Sequence, residues 1–220
     1  MSSIKIFYDT ETTGLKPGSI AQFSAIKTVD GRVTECKNLY FAVNGMTDGA
    51  IEVTGRNDAD YAVLSHGETF ADRADEIAEF IRGAQLYGYN VSFDNKFLKA
   101  EFERLGRFNI RSGFLTGDAS EIVLTENDVM DKCSLNLNFN SMGLGNRKRA
   151  KLSEIVAGLR IDENKVARLT ATAFKLDSAV TFHDATYDTM CTFLVNQAID
   201  ELVASGYKDS ATLRAIRYDM

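Results

Sequence analysis

The stretch IKIFYDTETTG, Ile4 to Gly14, joins a short apolar run to two carboxylates that are separated by one threonine. Residues two apart in a β-strand point to the same face, so Asp9 and Glu11 are predicted to lie side by side at the end of a buried strand. Carboxylates that close repel and raise each other's pKa, a cost that persists only if a third group neutralises them. The stretch therefore predicts a strand of the sheet and, at its end, a site that needs a positive partner.

The composition predicts one globular domain. With 220 residues, 45% of them hydrophobic, the chain can bury a sizeable core. We find no apolar run of about 18 residues and no basic-then-apolar N-terminus, so we expect a cytoplasmic protein that has no membrane partner. The net charge of −6 argues against bulk electrostatic binding of nucleic acid. It does not exclude a nucleic-acid enzyme, since divalent cations held by carboxylates can reverse the local charge.

The order of apolar patterns predicts an α/β domain. Ile20 to Val29 and the next apolar run are joined by Asp30-Gly31, which is typical of a hairpin between antiparallel strands. Helical spacing follows from Thr69, a short buried strand from Gln85, and a further helix from Ser92 to about Gly106. We expect a mixed sheet with helices on its faces.

The second half of the chain is less regular. Residues 107–150 contain many Gly and Asn and are predicted to form an irregular insertion, with one strand near Val129 to Cys133. Helical spacing returns in the stretch KLSEIVAGL and is clearest from Asp184 to Ser205. We expect one domain over residues 1–206 and a C-terminal extension over 207–220.

Two further acids lie where apolar residues belong. Asp188 falls on the apolar face of the last helix, and Asp94 lies near the start of the helix that begins at Ser92. An acid at a helix start is also favoured by the free N–H groups there, which alone could explain Asp94. A buried carboxylate must otherwise be paired, hydrogen-bonded or bound to a metal. Together with Asp9 and Glu11, these acids would be costly to assemble without cations.

Oxygen ligands of this kind suit Mg²⁺ or Mn²⁺ rather than zinc. A pair of such ions about 4 Å apart can bind the attacking and the leaving oxygen of a phosphoryl displacement. His183 lies shortly before Asp188, and imidazole suits proton transfer at neutral pH. Taken alone, His183 is more typical of a histidine that caps the helix or packs beside Asp184.

Three motifs in this chain resemble those of the DEDDh branch of the DnaQ-like 3′→5′ exonucleases. They are DTETTG, YNVSFDNKFL and HDATYD, and they occur in that family's order. The resemblance implies a ribonuclease H-like fold with a mixed five-stranded sheet. It also implies the site residues: Asp9, Glu11, Asp94 and Asp188 would hold two Mg²⁺ ions, which Mn²⁺ could replace, and His183 would be the general base.

The resemblance also implies where the substrate binds. The segment Thr12, Thr13, Gly14 and Leu15 would meet the 3′-terminal nucleotide, with Leu15 against its base, and Asn90 would be a further contact. Within the family, the strings AQFSAIKT, VTG and GYNVSFD are most similar to the exonuclease domain of bacterial exonuclease I, which acts on single-stranded DNA.

The only dense basic cluster is NRKRAK. Its residues Arg147, Lys148 and Arg149 could contact a nucleic-acid backbone or a protein partner, or could simply be solvated.

Several functions remain open on the sequence. The leading hypothesis is cleavage at the 3′ end of single-stranded DNA with release of nucleoside 5′-monophosphates. The same chemistry on RNA, as in the RNase T and oligoribonuclease relatives, is an alternative. From other classes, DTETT also resembles the start of haloacid dehalogenase-type phosphatases, and a non-catalytic or polymerase-associated module is conceivable. A polymerase or another replication or repair protein is therefore a candidate partner, and the oligomeric state is open.

Overall fold

A computed structural model describes residues 3–112, 121–145, 147, 149–178 and 180–206. Lys148, a candidate contact to a nucleic-acid backbone or a protein partner, and the predicted extension over 207–220 lie outside the described residues.

The described residues form a mixed set of strands and helices. In chain order these are β1 (Ile4–Thr12), β2 (Ile20–Val29), β3 (Arg32–Tyr40), α1 (Asp48–Thr54), α2 (Asp58–Leu64), α3 (Phe70–Ile81), β4 (Gln85–Gly88), α4 (Val91–Leu105), β5 (Ile110–Ser112), β6 (Ile122–Leu124), β7 (Asn127–Asp128), α5 (Val129–Asn136), α6 (Leu152–Gly158), α7 (Glu163–Phe174) and α8 (Ala185–Ser205).

The main sheet has five strands in the order β3-β2-β1-β4-β7, and β5 pairs with β6 in a small separate sheet. The pairs β1–β2 and β2–β3 are antiparallel, whereas β1–β4 and β4–β7 are parallel. The predicted hairpin is confirmed, since Asp30 and Gly31 connect β2 to β3 with positive φ angles of 50° and 82°. The prediction of a mixed five-stranded sheet is also confirmed.

Strand β1 is covered on both faces. Ile6 and Tyr8 belong to the hydrophobic cluster that includes residues of α3 and α4. Phe7, which points the other way, packs in the cluster of α8, with its ring centroid 5.2 Å from that of Phe193. Because successive strand residues alternate between faces, a strand buried on both sides has a nearly continuous apolar sequence. The predicted placement of helices on both faces of the sheet is confirmed.

Helix α8 packs across β1 and β2. The first turn of α8, which contains Asp188, lies at the carboxyl end of β1, next to Asp9 and Glu11. In the described part of the chain, no helix has both the length and the apolar character needed to cross a bilayer.

The predicted strand near Val129 to Cys133 is wrong, because these residues begin helix α5. Asp128 caps that helix by accepting a hydrogen bond from the Met130 N–H. The buried residues Val129, Met130 and Cys133 fit one face of a helix as well as they fit a strand, and the cap decides between the two. Helices α1, α2 and α7 were not predicted; α1 and α2 have only 7 residues each, too few for a clear periodicity.

Candidate active site

The end of β1 is irregular. Its pairing with β2 shifts register between Glu11 and Thr12, so that Thr12 lies opposite Ile20. A bulge of this kind bends a strand and re-aims the side chains beside it. The chain then leaves the sheet through Thr13 and Gly14, at the point where the acids lie.

Three carboxylates meet at this strand end. One oxygen each of Asp9, Glu11 and Asp188 lies within 4.8 Å of the others. Asp188 Oδ2 accepts a hydrogen bond of 3.1 Å from the His183 N–H. Asp188 Oδ1 is buried and has no hydrogen-bond partner among the described residues. An orphaned buried oxygen in a group of acids is the arrangement that a bound cation would satisfy.

Asp94 approaches the same strand end from the first turn of α4. It is 3% exposed, and its Oδ1 accepts hydrogen bonds from the Thr10 N–H at 3.0 Å and the Thr10 hydroxyl at 2.7 Å. It lies outside the group of three that meets within 4.8 Å, but after burial its charge is the largest influence raising the pKa of Asp9. The structure thus brings the four predicted acids to one place, with Asp94 held by the strand itself.

The electrostatics of these acids are unfavourable without a cation. Burial first, and then repulsion from neighbouring acids, raises the pKa of Asp9 well above its ordinary value and that of Glu11 to about 8. Burial also raises the pKa of Asp94 and of Asp188 to about 7, although hydrogen bonds from Thr10 and from the His183 N–H act in the opposite direction. An all-oxygen donor set with such repulsion fits a hard divalent cation.

His183 stands at the mouth of this group. It is exposed, and its φ of 69° places a non-glycine residue in the left-handed region. Together with Asp188, Asn90, Arg147 and Arg149 it lines a cavity of about 870 Å³. His183 therefore borders an open cavity that it shares with Asp188.

A second cavity, of about 360 Å³, opens beside Glu11. Among the predicted nucleotide contacts, Thr12, Gly14 and Leu15 line it, whereas Asn90 lines the larger cavity. Thr13 lines neither; its hydroxyl accepts a hydrogen bond from the Ser19 N–H within the loop after β1. The remaining walls of the smaller cavity are Thr10, Thr47, Gly49, Ala50, Val53, Thr54 and Phe93.

The two described arginines of the basic cluster are paired with acids. Arg147 contacts Glu154, and Arg149 contacts Asp131 at 3.2 Å. Their side chains are 55% and 61% exposed, so these pairs hold the arginines weakly.

Sequence reasoning missed three side chains that support the site. Gln22 Nε2 and Arg56 Nη2 each donate to the Asp184 carboxylate, at 3.3 and 3.0 Å. The Thr10 bonds to Asp94 were also unforeseen. No local pattern marks Arg56 or Gln22, because their partner is 128 or 162 residues away in the sequence.

A family model described as an exonuclease matches residues 6–195, a range that includes all of the predicted catalytic residues. The chain belongs to this exonuclease family. The DnaQ-like resemblance predicted from the three motifs is thereby confirmed.

Curated relatives of this exonuclease-family chain include DNA polymerase III subunit epsilon from two bacteria. The protein from Rickettsia conorii is 35% identical over 115 residues, covering 50% of this chain and 50% of that protein. The protein from Escherichia coli K12 is 32% identical over 111 residues, covering 47% and 45%. The aligned region spans about half the length of these relatives.

Solved structures of exonuclease I share the fold. An Escherichia coli exonuclease I in complex with a dT13 oligonucleotide matches with a TM-score of 0.60 and 21% identity, over 92% of this chain and 43% of that one. Exonuclease I from Methylocaldum szegediense matches with a TM-score of 0.59 and 19% identity, over 90% and 40%. The predicted ribonuclease H-like fold is confirmed by this likeness.

Proposed function

We propose that this chain is a metal-dependent 3′→5′ exonuclease that hydrolyses the 3′-terminal phosphodiester of single-stranded DNA and releases nucleoside 5′-monophosphates. The observation that carries the proposal is the meeting of Asp9, Glu11 and Asp188 within 4.8 Å at the end of β1. Membership of the exonuclease family over residues 6–195 supports the reaction class.

The four acids fit a pair of Mg²⁺ ions, which Mn²⁺ could replace. Asp9, Glu11 and Asp188 would hold them, and Asp94 would add its oxygen from the other side of β1. When bound, such ions supply charge stabilisation to the attacking and the leaving oxygen of the phosphodiester. The carboxylates fix where that charge lies, and Thr10 orients Asp94 by two hydrogen bonds.

His183 is the proposed general base. His183 is exposed and lines the same cavity as Asp188, and in this proposal its imidazole takes the proton of the attacking water. The main-chain N–H of His183 is already bonded to Asp188, so the residue's position is tied to that carboxylate.

The two cavities suit different parts of the substrate. The smaller one, about 360 Å³ and walled mainly by apolar and threonine side chains, has room for one unpaired nucleoside. Leu15 on its rim is 84% exposed and can lie against a base. In the larger cavity, the exposed side chains of Arg147 and Arg149 could exchange their acidic partners for phosphates. DNA rather than RNA is proposed because of the local similarity to the exonuclease I group.

Digestion of matched DNA and RNA oligonucleotides, labelled at the 5′ end and with 3′-blocked controls, tests activity, polarity and substrate together. We expect Mg²⁺-dependent shortening of the DNA from its 3′ end and no such loss from the blocked strands. Asp188→Ala is expected to abolish digestion while circular dichroism stays unchanged. Asp200→Ala is the matched control, since Asp200 lies on the same helix, exposed and paired with Lys132 at 2.6 Å. Near-normal turnover by Asp188→Ala would refute the assignment.

Action beside a DNA polymerase is a second candidate, favoured by the 35% identity to a DNA polymerase III subunit epsilon. A chain with that role should remove a mismatched 3′ nucleotide from a primer faster than a paired one. Equal rates on the two primers, with efficient digestion of free single strands, would favour the first proposal.

A further inference from the structure

One arginine connects the wall of the smaller cavity to the start of α8. Arg56 follows Gly55, which ends α1 with a φ of 68°, and α1 carries the cavity residues Val53 and Thr54. The Arg56 Nη2 donates to Asp184 Oδ2 at 3.0 Å. The Arg56 side chain is 26% exposed and that of Asp184 only 6%, so the pair is better shielded than the exposed ion pairs of this chain.

Asp184 is the anchor of the α8 N-terminus. Its Oδ1 caps the helix by accepting from the Thr186 N–H at 3.0 Å and also accepts from Gln22 Nε2 at 3.3 Å. Gln22 in turn accepts from the Ala185 N–H at 3.3 Å. The start of α8 is therefore held against β2 by Gln22 and against the end of α1 by Arg56.

His183 directly precedes this anchor in a conformation that needs support. A non-glycine residue in the left-handed region costs on the order of 1 kcal/mol and persists only where its surroundings hold it. At His183, with a φ of 69°, that support comes from its N–H bond to Asp188 on one side and from the fixed Asp184 on the other.

We propose that Arg56 is a positioning residue for His183: by holding Asp184 it sets where the imidazole stands relative to Asp188. Arg56 lines neither of the two cavities as the described residues define them, so it acts through Asp184 and not by touching the substrate. The catalytic consequence rests on the proposed function, whereas the effect on His183 does not.

The placement of His183 can be measured without any activity, because the chain has only two histidines. Proton NMR of the imidazole Cε1–H groups should show two signals, assigned with His66→Gln and His183→Gln. We expect Arg56→Met and Asp184→Asn each to shift or broaden the His183 signal. Arg107→Met is the matched control. Arg107 also pairs with an aspartate, Asp75, at 3.2 Å, and its guanidinium lies 5.0 Å from the Phe108 ring centroid, as that of Arg56 lies 5.9 Å from the Tyr40 ring centroid; the Arg107 side chain, however, is 49% exposed. This variant should leave the His183 signal in place.

Kinetics separate positioning from substrate contact. We expect Arg56→Met and Asp184→Asn each to lower kcat about tenfold with KM within about twofold. The double variant should be no worse than either, because both changes remove the same Arg56–Asp184 ion pair. The proposal would be overturned if Arg56→Met raised KM and if this effect added to that of Asp184→Asn in the double variant. Such a result would show that Arg56 contacts the substrate. A His183 signal and a kcat that stay at the wild-type values would also overturn the proposal.

Two controls keep the outcomes distinct. Thermal unfolding shows whether each variant is folded at the assay temperature, and Arg56→Lys, which keeps the charge, should fold and show a smaller loss of kcat. If the wild-type chain has no nuclease activity but Arg56→Met still moves the His183 signal, the proposed function fails and the positioning by Arg56 stands. If the wild-type chain is active and the signal does not move, only the positioning fails.

Discussion

Replacing Glu11 by glutamine is expected to stabilise the metal-free protein at alkaline pH. Glu11 is buried, with only 9% of its surface exposed. Burial, and then the charges of Asp188, Asp184 and Asp94, raise its pKa from an ordinary 4.5 to about 8. The folded protein therefore keeps a proton that the unfolded chain has released. As a result, the free energy of unfolding falls as the pH rises from 4.5 towards 8.

The size of this loss of stability follows from the difference between the ordinary pKa of Glu11 and its pKa in the folded protein. At about 1.4 kcal/mol per pH unit, the pKa of Glu11 corresponds to roughly 5 kcal/mol lost from the free energy of unfolding above pH 8. The neighbouring acids share protons with Glu11, so this figure is an upper bound, and we expect Glu11→Gln to recover about 2 to 3 kcal/mol at pH 8.5. A domain's total stability is only about 5 to 15 kcal/mol, so the change is large.

The assay is urea unfolding in EDTA, followed by far-UV circular dichroism at pH 5.5 and pH 8.5. The free energy of unfolding of Glu11→Gln should exceed that of the wild type by more at pH 8.5 than at pH 5.5. Glu101→Gln is the matched control, because Glu101 is 7% exposed but pairs with Arg104 at 2.7 Å and accepts from the Ile20 N–H at 2.8 Å. Loss of that pairing should destabilise the protein at both pH values.

Divalent cation gives the complementary measurement. Mn²⁺ at 100 times its Kd should add about 2.7 kcal/mol to the stability of the wild type, and less to that of Glu11→Gln. The reasoning is refuted if wild-type stability in EDTA does not fall between pH 5.5 and pH 8.5. It is refuted equally if Glu11→Gln unfolds at the same urea concentration as wild type at pH 8.5.

Substitutions at four other residues have clear expected outcomes. Leu15→Ala should raise KM for oligonucleotides several-fold yet change stability by less than about 0.5 kcal/mol, because the side chain is 84% exposed; unchanged KM would remove Leu15 from the substrate site. Asn90→Ala should cost about 1 kcal/mol in urea unfolding and Asn90→Gly less, because φ is 66°; equal losses would contradict this. Arg147→Ala and Arg149→Ala should each flatten the dependence of log K on log salt by about 0.7 for single-stranded DNA, measured by fluorescence anisotropy, and an unchanged slope would mean no phosphate contact.

The sequence predicted secondary structure correctly where a turn has specific residue requirements or where one periodicity continues over many residues. The hairpin at Asp30-Gly31 and the helix from Asp184 depended on turn chemistry and on sustained periodicity, and both are present. The stretch from Val129 was misassigned because a short apolar run fits both periods, and only the cap by Asp128 favours the helix. Helices α1 and α2 were not predicted because 7 residues form only about two helical turns, too few to establish a hydrophobic periodicity.

The acids of the candidate site were predictable because each breaks an apolar pattern. Asp9 and Glu11 follow the buried run of β1, and Asp188 interrupts the apolar face of α8. Their meeting was inferred from the cost of burying charge, and the structure brings three of them within 4.8 Å.

The sequence by itself determined the central strand, the carboxylates at its end and the family to which the chain belongs, because residue type and short-range spacing carry these properties. Tertiary structure alone decided how the acids are held. Thr10 donates a hydrogen bond to Asp94, 84 residues away in the sequence, and Arg56 donates one to Asp184, 128 residues away. No local spacing in the sequence can reveal such contacts. Tertiary structure also decided that Leu15 and Asn90 line different cavities, since only the bulge after Glu11 and the packing of α4 against β1 set where those side chains point.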